Sequence, residues 1–262
     1  MSTVGIIGCG WLGLPLGKHL VEAGYKVVGS TTRPEKLKSL EEVGIEPVLL
    51  SLNPMPEGQD FNKLFKAETL FINVPPRSRI HTPEYYREQI KYLKYQLQNS
   101  SVKRVIFISS TSFYPNTGEA VDESTPYDLQ KGSTKAVVYG ELEIAQISQP
   151  LSILRCGGLM GGDRIPGKWF AGKETTGAET PINYIHRDDV IKYVTWLLEK
   201  ESWPAIKNMV SSEHISRKQV HEAMATKYNF APPVWINPQM LTSKIVESNV
   251  SAPFEFKSPL SY

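Results

Sequence analysis

Val4-Gly5-Ile6-Ile7-Gly8-Cys9-Gly10-Trp11-Leu12-Gly13 is a short apolar run that breaks into three glycines spaced G-x-G-x-x-G. Each glycine permits something different. Gly8 allows a tight turn out of a strand, Gly10 lets the backbone approach a pyrophosphate, and Gly13 lets a helix pack close to a sheet. The surroundings suit this: a strand over Val4–Ile7, a helix over Leu12–Ala23 with Pro15 in its first turn, Gly24 as its stop, and a second strand over Lys26–Val28. Free N–H groups and the positive dipole end of that helix would face phosphates. The pattern therefore predicts a dinucleotide cofactor lying against Gly8, Gly10, Trp11, Leu12 and Gly13.

The end of the second strand distinguishes the dinucleotides. An NAD site places a carboxylate roughly 20 residues after the first glycine, where it accepts hydrogen bonds from ribose hydroxyls. Here the chain reads Gly29-Ser30-Thr31-Thr32-Arg33, with no acid. Three hydroxyls and a guanidinium suit a 2′-phosphate, so NADP is expected ahead of NAD.

The 262 residues, 40% of them apolar, are enough for one large domain with a smaller lobe. A net charge of +2 and the lack of any basic run argue against nucleic acid as a partner, and no apolar stretch reaches membrane-spanning length. Two cysteines, Cys9 and Cys156, make no disulfide framework. With Met1-Ser2-Thr3 running straight into the first strand, a reducing cytoplasm is the simplest compartment. The five histidines form no ligand spacing with cysteines or acids, so no metal site is expected.

Further strands are expected at Pro47–Leu50, Thr69–Val74, Arg104–Ser109, Leu151–Arg155 and Asn208–Ser211. Helices are expected at Pro34–Val43, Tyr85–Asn99, Lys135–Ile147, Asp188–Lys200 and Ser216–Tyr228, the last opened by the capping box Ser216-x-x-Gln219. This βαβα order predicts an α/β fold: a Rossmann-type doubly wound parallel sheet with a small C-terminal substrate lobe. Residues 1–156, rejoined by 181–212, are expected to form the dinucleotide-binding domain, and 157–180 with 213–262 the lobe. The tail from Ala231, with five prolines, is expected to wrap that lobe.

Strand 104–109 ends in Ser109-Ser110-Thr111-Ser112-Phe113-Tyr114. Ligands of open α/β sheets bind outside the carboxyl ends of the strands, so Ser109 and its neighbours should face the cofactor. At this point the chain resembles the short-chain dehydrogenase/reductase superfamily. The resemblance is to its extended and atypical NAD-dependent epimerase/dehydratase-like branch, and within it to the bacterial YeeZ-like group. It is carried, in order, by the glycine turn, Asn73-Val74-Pro75-Pro76, Ser109–Tyr114, Asp122-Glu123-Ser124-Thr125-Pro126, Leu154–Gly161, Phe170–Lys173 and Asn183–Val190.

The resemblance implies that Ser110 occupies the catalytic Ser/Thr position and that Val74, Pro75, Pro76 and Arg155 border the cofactor. It also implies a Tyr-x-x-x-Lys pair on a helix, the tyrosine moving the proton. Lys131-Gly132-Ser133-Thr134-Lys135 keeps the lysine but sets Lys131 where that tyrosine belongs. A literal Tyr-x-x-x-Lys occurs at Tyr127 and Lys131, directly after Pro126. The acid is therefore sought among Tyr127, Lys131 and Lys135. His186, beside Asp188-Asp189, reads as a helix-start residue that bonds nearby backbone.

Two functions remain open: an NADP-dependent oxidoreductase or epimerase of a polar small molecule such as a sugar or nucleotide sugar, or a dinucleotide-binding redox sensor without dehydrogenase chemistry. Either would act as a monomer or homodimer. A β-hydroxyacid dehydrogenase opens similarly but needs a mostly helical second domain, and only one strong helix follows residue 212.

Overall fold

The structure is a computed structural model in which residues 2–237 and 239–261 are described. The chain opens as β1 (Thr3–Ile7), α1 (Gly13–Glu22), β2 (Lys26–Thr31), α2 (Leu37–Glu41), β3 (Glu46–Leu52), β4 (Pro56–Gln59), β5 (Thr69–Ile72), α3 (Pro83–Gln98) and β6 (Arg104–Ser110). There follow β7 (Ala120–Val121), α4 (Lys135–Ile144), β8 (Leu151–Cys156), β9 (Gly158–Met160), β10 (Glu174–Thr175) and β11 (Tyr184–His186). The last elements are α5 (Arg187–Leu198), β12 (Ile206–Met209), α6 (Arg217–Lys227), β13 (Val234–Trp235) and β14 (Ile245–Val246).

Eight strands form one sheet in the order β12-β8-β6-β5-β1-β2-β3-β4. From β6 across to β3 the pairings are parallel, and β4 is an antiparallel edge. The chain winds outward from β1 through β2 to β3, then returns to β5 on the other side of β1. The strand order thus reverses between β1 and β5, which is where such sheets hold ligands. This is the Rossmann-like α/β architecture that the alternation of elements predicts.

Two compact units are formed. The first takes residues up to Ser109, Thr134–Leu154 and Thr195–Ile206; the second takes Ser110–Ser133, Arg155–Val194 and the residues from Lys207 onward. This division differs from the expected one at the unit boundaries 155–156 and 207–212 and in the two longer segments 110–133 and 181–194. Both segments are tied to second-unit partners, β7 pairing with β14 and β11 with β9.

The first unit's core joins Ile7, Val28, Leu70, Ile72, Val105 and Phe107 of the strands to Ile90, Leu93 and Leu97 of α3 and Ile144 of α4. Tyr86, Ile90, Leu93 and Leu97 form one face of α3, whose start is fixed by Pro83 and by Thr82 accepting from Tyr85 N. Burial of each such side chain is worth about 1.5–3 kcal/mol. The helix expected over Pro34–Val43 shrinks to a 3-10 turn at Pro34–Lys36 and the five residues of α2, both ends tightening into three-residue turns (Lys36 N to Arg33 O, Val43 N to Leu40 O) ahead of Gly44 at φ +79°. Edge strand β4 was not expected, since Pro56-Glu57-Gly58-Gln59 lacks strand-forming side chains and is held by β3 alone.

The second unit has a smaller core of Ile165, Ile182, Val220 and Met224. Here α6 starts on the predicted capping box, with Ser216 Oγ accepting from Gln219 N and Gln219 Oε1 accepting from Ser216 N. His221 is fully buried, its Nε2 lying 3.1 Å from Tyr184 Oη and its ring stacked between Phe170 and Trp235. The tail is strapped down at Glu123, which accepts from Asn208 N, Ser248 Oγ and Asn249 N. Lys207 adds bonds to Ser248 Oγ and Val250 O, and burial pushes its ammonium down to about 8. Among the described residues no helix is long and apolar enough to cross a membrane.

Candidate cofactor and active site

At the reversal point the exits of β1 and β5 are pinned together. Gly8 has φ +99°, and a Cβ there would lie 2.5 Å from Asn73 O, while Asn73 Nδ2 donates to Gly8 O at 3.2 Å. Gly8 N donates to Ser30 Oγ at 2.9 Å and Cys9 N to Ser30 O at 2.8 Å, so β2 also holds the turn. A Cβ on Gly13 would come within 2.2 Å of Gly8 O, whereas one on Gly10 would meet nothing within 4 Å. The space over Gly10 is what a pyrophosphate needs. Helix α1 begins there without a side-chain cap or a first-turn acid, so no acid of its own first turn meets its dipole. The residues present fit a dinucleotide.

The remaining first-unit candidates divide by how their polar groups are used. Ser30 is buried and holds the turn, and Thr31 Oγ1 accepts from Arg33 N. Thr32 and Arg33 are exposed, and the Arg33 guanidinium has no partner among the described residues. Leu12 is a core residue and Trp11 is half-buried. Val74 O accepts from Tyr86 Oη at 2.9 Å, ahead of exposed Pro75 and half-buried Pro76. Ser109 Oγ donates to the buried carboxylate of Glu141 on α4.

Tyr86 and Glu141, which brace two candidate cofactor residues, escaped the sequence reading. The available signal was Glu141 beside Gly140, at a position that the apolar spacing of α4 assigns to the buried face. A Cβ on Gly140 would lie 2.5 Å from the Tyr86 ring, so this glycine admits the tyrosine. Burial and the charge of Glu141 raise the Tyr86 phenol, which keeps it a donor.

In the second unit, Ser110 closes β6 and its Oγ accepts from Ser112 N at 3.1 Å. Phe113 carries Tyr114 and Tyr127 edge-on, with ring centroids 5.6 Å away in each case, and the Arg155 guanidinium stacks 3.5 Å above its ring. Arg155 also donates to Tyr114 Oη at 2.8 Å, and Tyr114 Oη donates to Asn208 Oδ1. Arg155 is thus built into the interior of its unit. Tyr127 is 39% exposed, and its hydroxyl has no partner among the described residues.

Neither lysine spacing lies along a helix. Tyr127 is in irregular chain, Lys131 ends the 3-10 turn Leu129–Lys131, and Gly132 at φ +93° breaks the path to α4. Lys135, in the first unit, is the first residue of α4 and pairs with Glu84 at 2.8 Å, which raises its ammonium. His186 Nδ1 accepts from Asp188 N at 3.2 Å, the structural use foreseen for it. Both cysteines are free and buried, their thiols pushed up to about 12 by burial.

Residues 3–81 match the family described as the NAD binding domain of 6-phosphogluconate dehydrogenase. Over 242 residues the chain is 33% identical to protein YeeZ of Escherichia coli (strain K12), covering 90% of this chain and 88% of that protein. MoeE5 in complex with UDP-glucose and NAD has a TM-score of 0.77 at 17% identity, over 98% of this chain and 94% of its own. The UDP-glucuronic acid 4-epimerase from Bacillus cereus in complex with NAD has a TM-score of 0.73 at 16% identity, over 95% and 88%. At such identities the two structures show a shared fold.

Proposed function

We propose that this chain, which belongs to the YeeZ-like family, is an NADP-dependent oxidoreductase or epimerase acting on a polar small molecule. The observation that carries this is the open space over Gly10 in front of the uncapped start of α1, at the point where the strand order reverses. The free guanidinium of Arg33, with Thr32 beside it and no carboxylate, supports NADP ahead of NAD.

A bound nicotinamide supplies or accepts a hydride at a substrate carbon. In this assignment Ser110 donates a hydrogen bond to the substrate oxygen and Tyr127 gives that oxygen its proton. Of the three candidate acids Tyr127 is favoured, because its hydroxyl is unspent while Lys135 is engaged with Glu84. The UDP-glucose complex of MoeE5 supports a sugar or nucleotide sugar as the class to try first. The test is NADPH and NADH oxidation across a panel of carbonyl compounds and nucleotide sugars. Turnover that falls by about 10²-fold or more in Ser110→Ala and Tyr127→Phe is expected, and turnover untouched by both changes would overturn the residue assignment.

A second reading is supported by Lys131 standing where the proton-moving tyrosine falls, with no helix joining it to Lys135. The protein would then bind the dinucleotide as a redox sensor. NADPH binding without oxidation across the whole panel decides for it.

A further inference from the structure

Within the second unit, the segment from Pro115 to Lys131 surrounds an open pocket of about 480 Å³. The pocket is wide-mouthed, so a ligand there would be held by one face and keep the other in solvent. The segment's backbone is fixed. Asn116 N donates to Lys131 O at 2.7 Å, Asp128 N donates to Ser133 Oγ at 2.8 Å, and Ser133 N donates to Asp128 O at 3.0 Å. Asp128 Oδ1 accepts from the N–H groups of Gln130 and Lys131.

The side chains are uncommitted by comparison. Among the described residues the hydroxyl of Thr117, the amide of Gln130 and the phenol of Tyr127 make no hydrogen bond, and all three line the pocket. Among the described residues the Lys131 ammonium has only Asp128 Oδ2, 3.9 Å away across an exposed pair, an interaction worth little. The walls are Pro115, Pro126 and Leu129, the last 41% exposed. Unspent donors and an exposed leucine therefore meet in one pocket of a hydrogen-bonded segment.

We propose that this pocket selects substrates that pair hydroxyl groups with one anionic group, a carboxylate or a phosphate, and that Lys131 reads that charge. This rests on the oxidoreductase reading for the word substrate, but not for the binding itself. The proline walls and the Tyr127 ring accept the C–H face of a sugar ring, Thr117 and Gln130 take its hydroxyls, and the ammonium takes the anion. Asp128 stays on the turn N–H groups and limits the attraction, so its charge works against the anion that Lys131 recruits.

Calorimetric titration of the full chain at low salt, with and without NADPH, tests this with three probes: glucuronate, glucose 6-phosphate and glucose. One or both anionic probes should bind at least about tenfold more tightly than glucose, the scale of one charge-assisted hydrogen bond. A carboxylate or a phosphate is identified by which of the two is preferred. Lys131→Met should abolish the preference and Lys131→Arg keep it. Asp128→Asn, which retains a side-chain oxygen for the cap, should widen it. Glucose binding as tightly as the anions, no binding of either anion, or a preference that survives Lys131→Met would each overturn the proposal. NADPH oxidation is scored separately. An anion preference with no oxidation sinks the enzyme reading alone, and oxidation with no anion preference sinks the pocket alone.

Discussion

Gly10 and Gly13 sit three residues apart and should fail differently when given a methyl group. On Gly13 the new carbon would drive into the Gly8 carbonyl, and Gly13→Ala is expected to cost about 1–3 kcal/mol in urea unfolding. On Gly10 it enters open space, so Gly10→Ala should unfold within about 0.5 kcal/mol of the parent yet lose nucleotide affinity in a fluorescence titration. Equal NADPH affinity in Gly10→Ala would remove the pyrophosphate from that space. Arg33→Ala should weaken NADPH by about tenfold and leave NADH unchanged, since only the former carries the extra phosphate. The glycine turn was legible because the spacing of its three glycines is itself the signal, although Gly8 also answers to Asn73, 65 residues further on. The uses of Ser30 and Arg155 were not, because the partner that takes up Ser30 Oγ is Gly8 N, 22 residues earlier, and the ring beneath Arg155 belongs to Phe113.

At the scale of elements, α4 shows where periodicity informs and where it misleads. Its start at Lys135 matches the expectation, but Glu141 lies inside, bound to Ser109, where an apolar pattern assigns acids to the solvent face. The faces of α3 and the capping box of α6 were readable from spacing alone, whereas α2 is shorter than its spacing predicts because its ends tighten into three-residue turns. Gly140→Ala offers a direct test. Helix propensity alone would stabilise α4 by up to about 1 kcal/mol, but the added carbon meets the Tyr86 ring. We expect a net loss of about 1–2 kcal/mol together with weaker cofactor binding, since Tyr86 holds the Val74 carbonyl. A more stable Gly140→Ala protein would show that α3 and α4 are free to part.

For the molecule as a whole, acid stability should be governed in part by His221. Burial, with Arg217 adding to it, pushes this imidazole down to about 4, against about 6.5 for the unfolded chain. Between those values the unfolded state takes a proton that the folded state refuses. Stability is therefore whole above pH 6.5 and declines as pH falls toward 4, by on the order of 3 kcal/mol from this group. Urea midpoints across that range should fall in the parent and fall less in His221→Phe, and parallel profiles would assign the loss to other groups. The tail also sets how the chain must be assembled. Glu123 and Ser248 are 125 residues apart, and β14 completes a pairing that β7 begins. Closing so long a loop is slow, because its entropy is spent before the contacts reward it. During synthesis β7 must wait unpaired until β14 has been made, which leaves the second unit the later of the two to close and the more exposed to misassembly on the way.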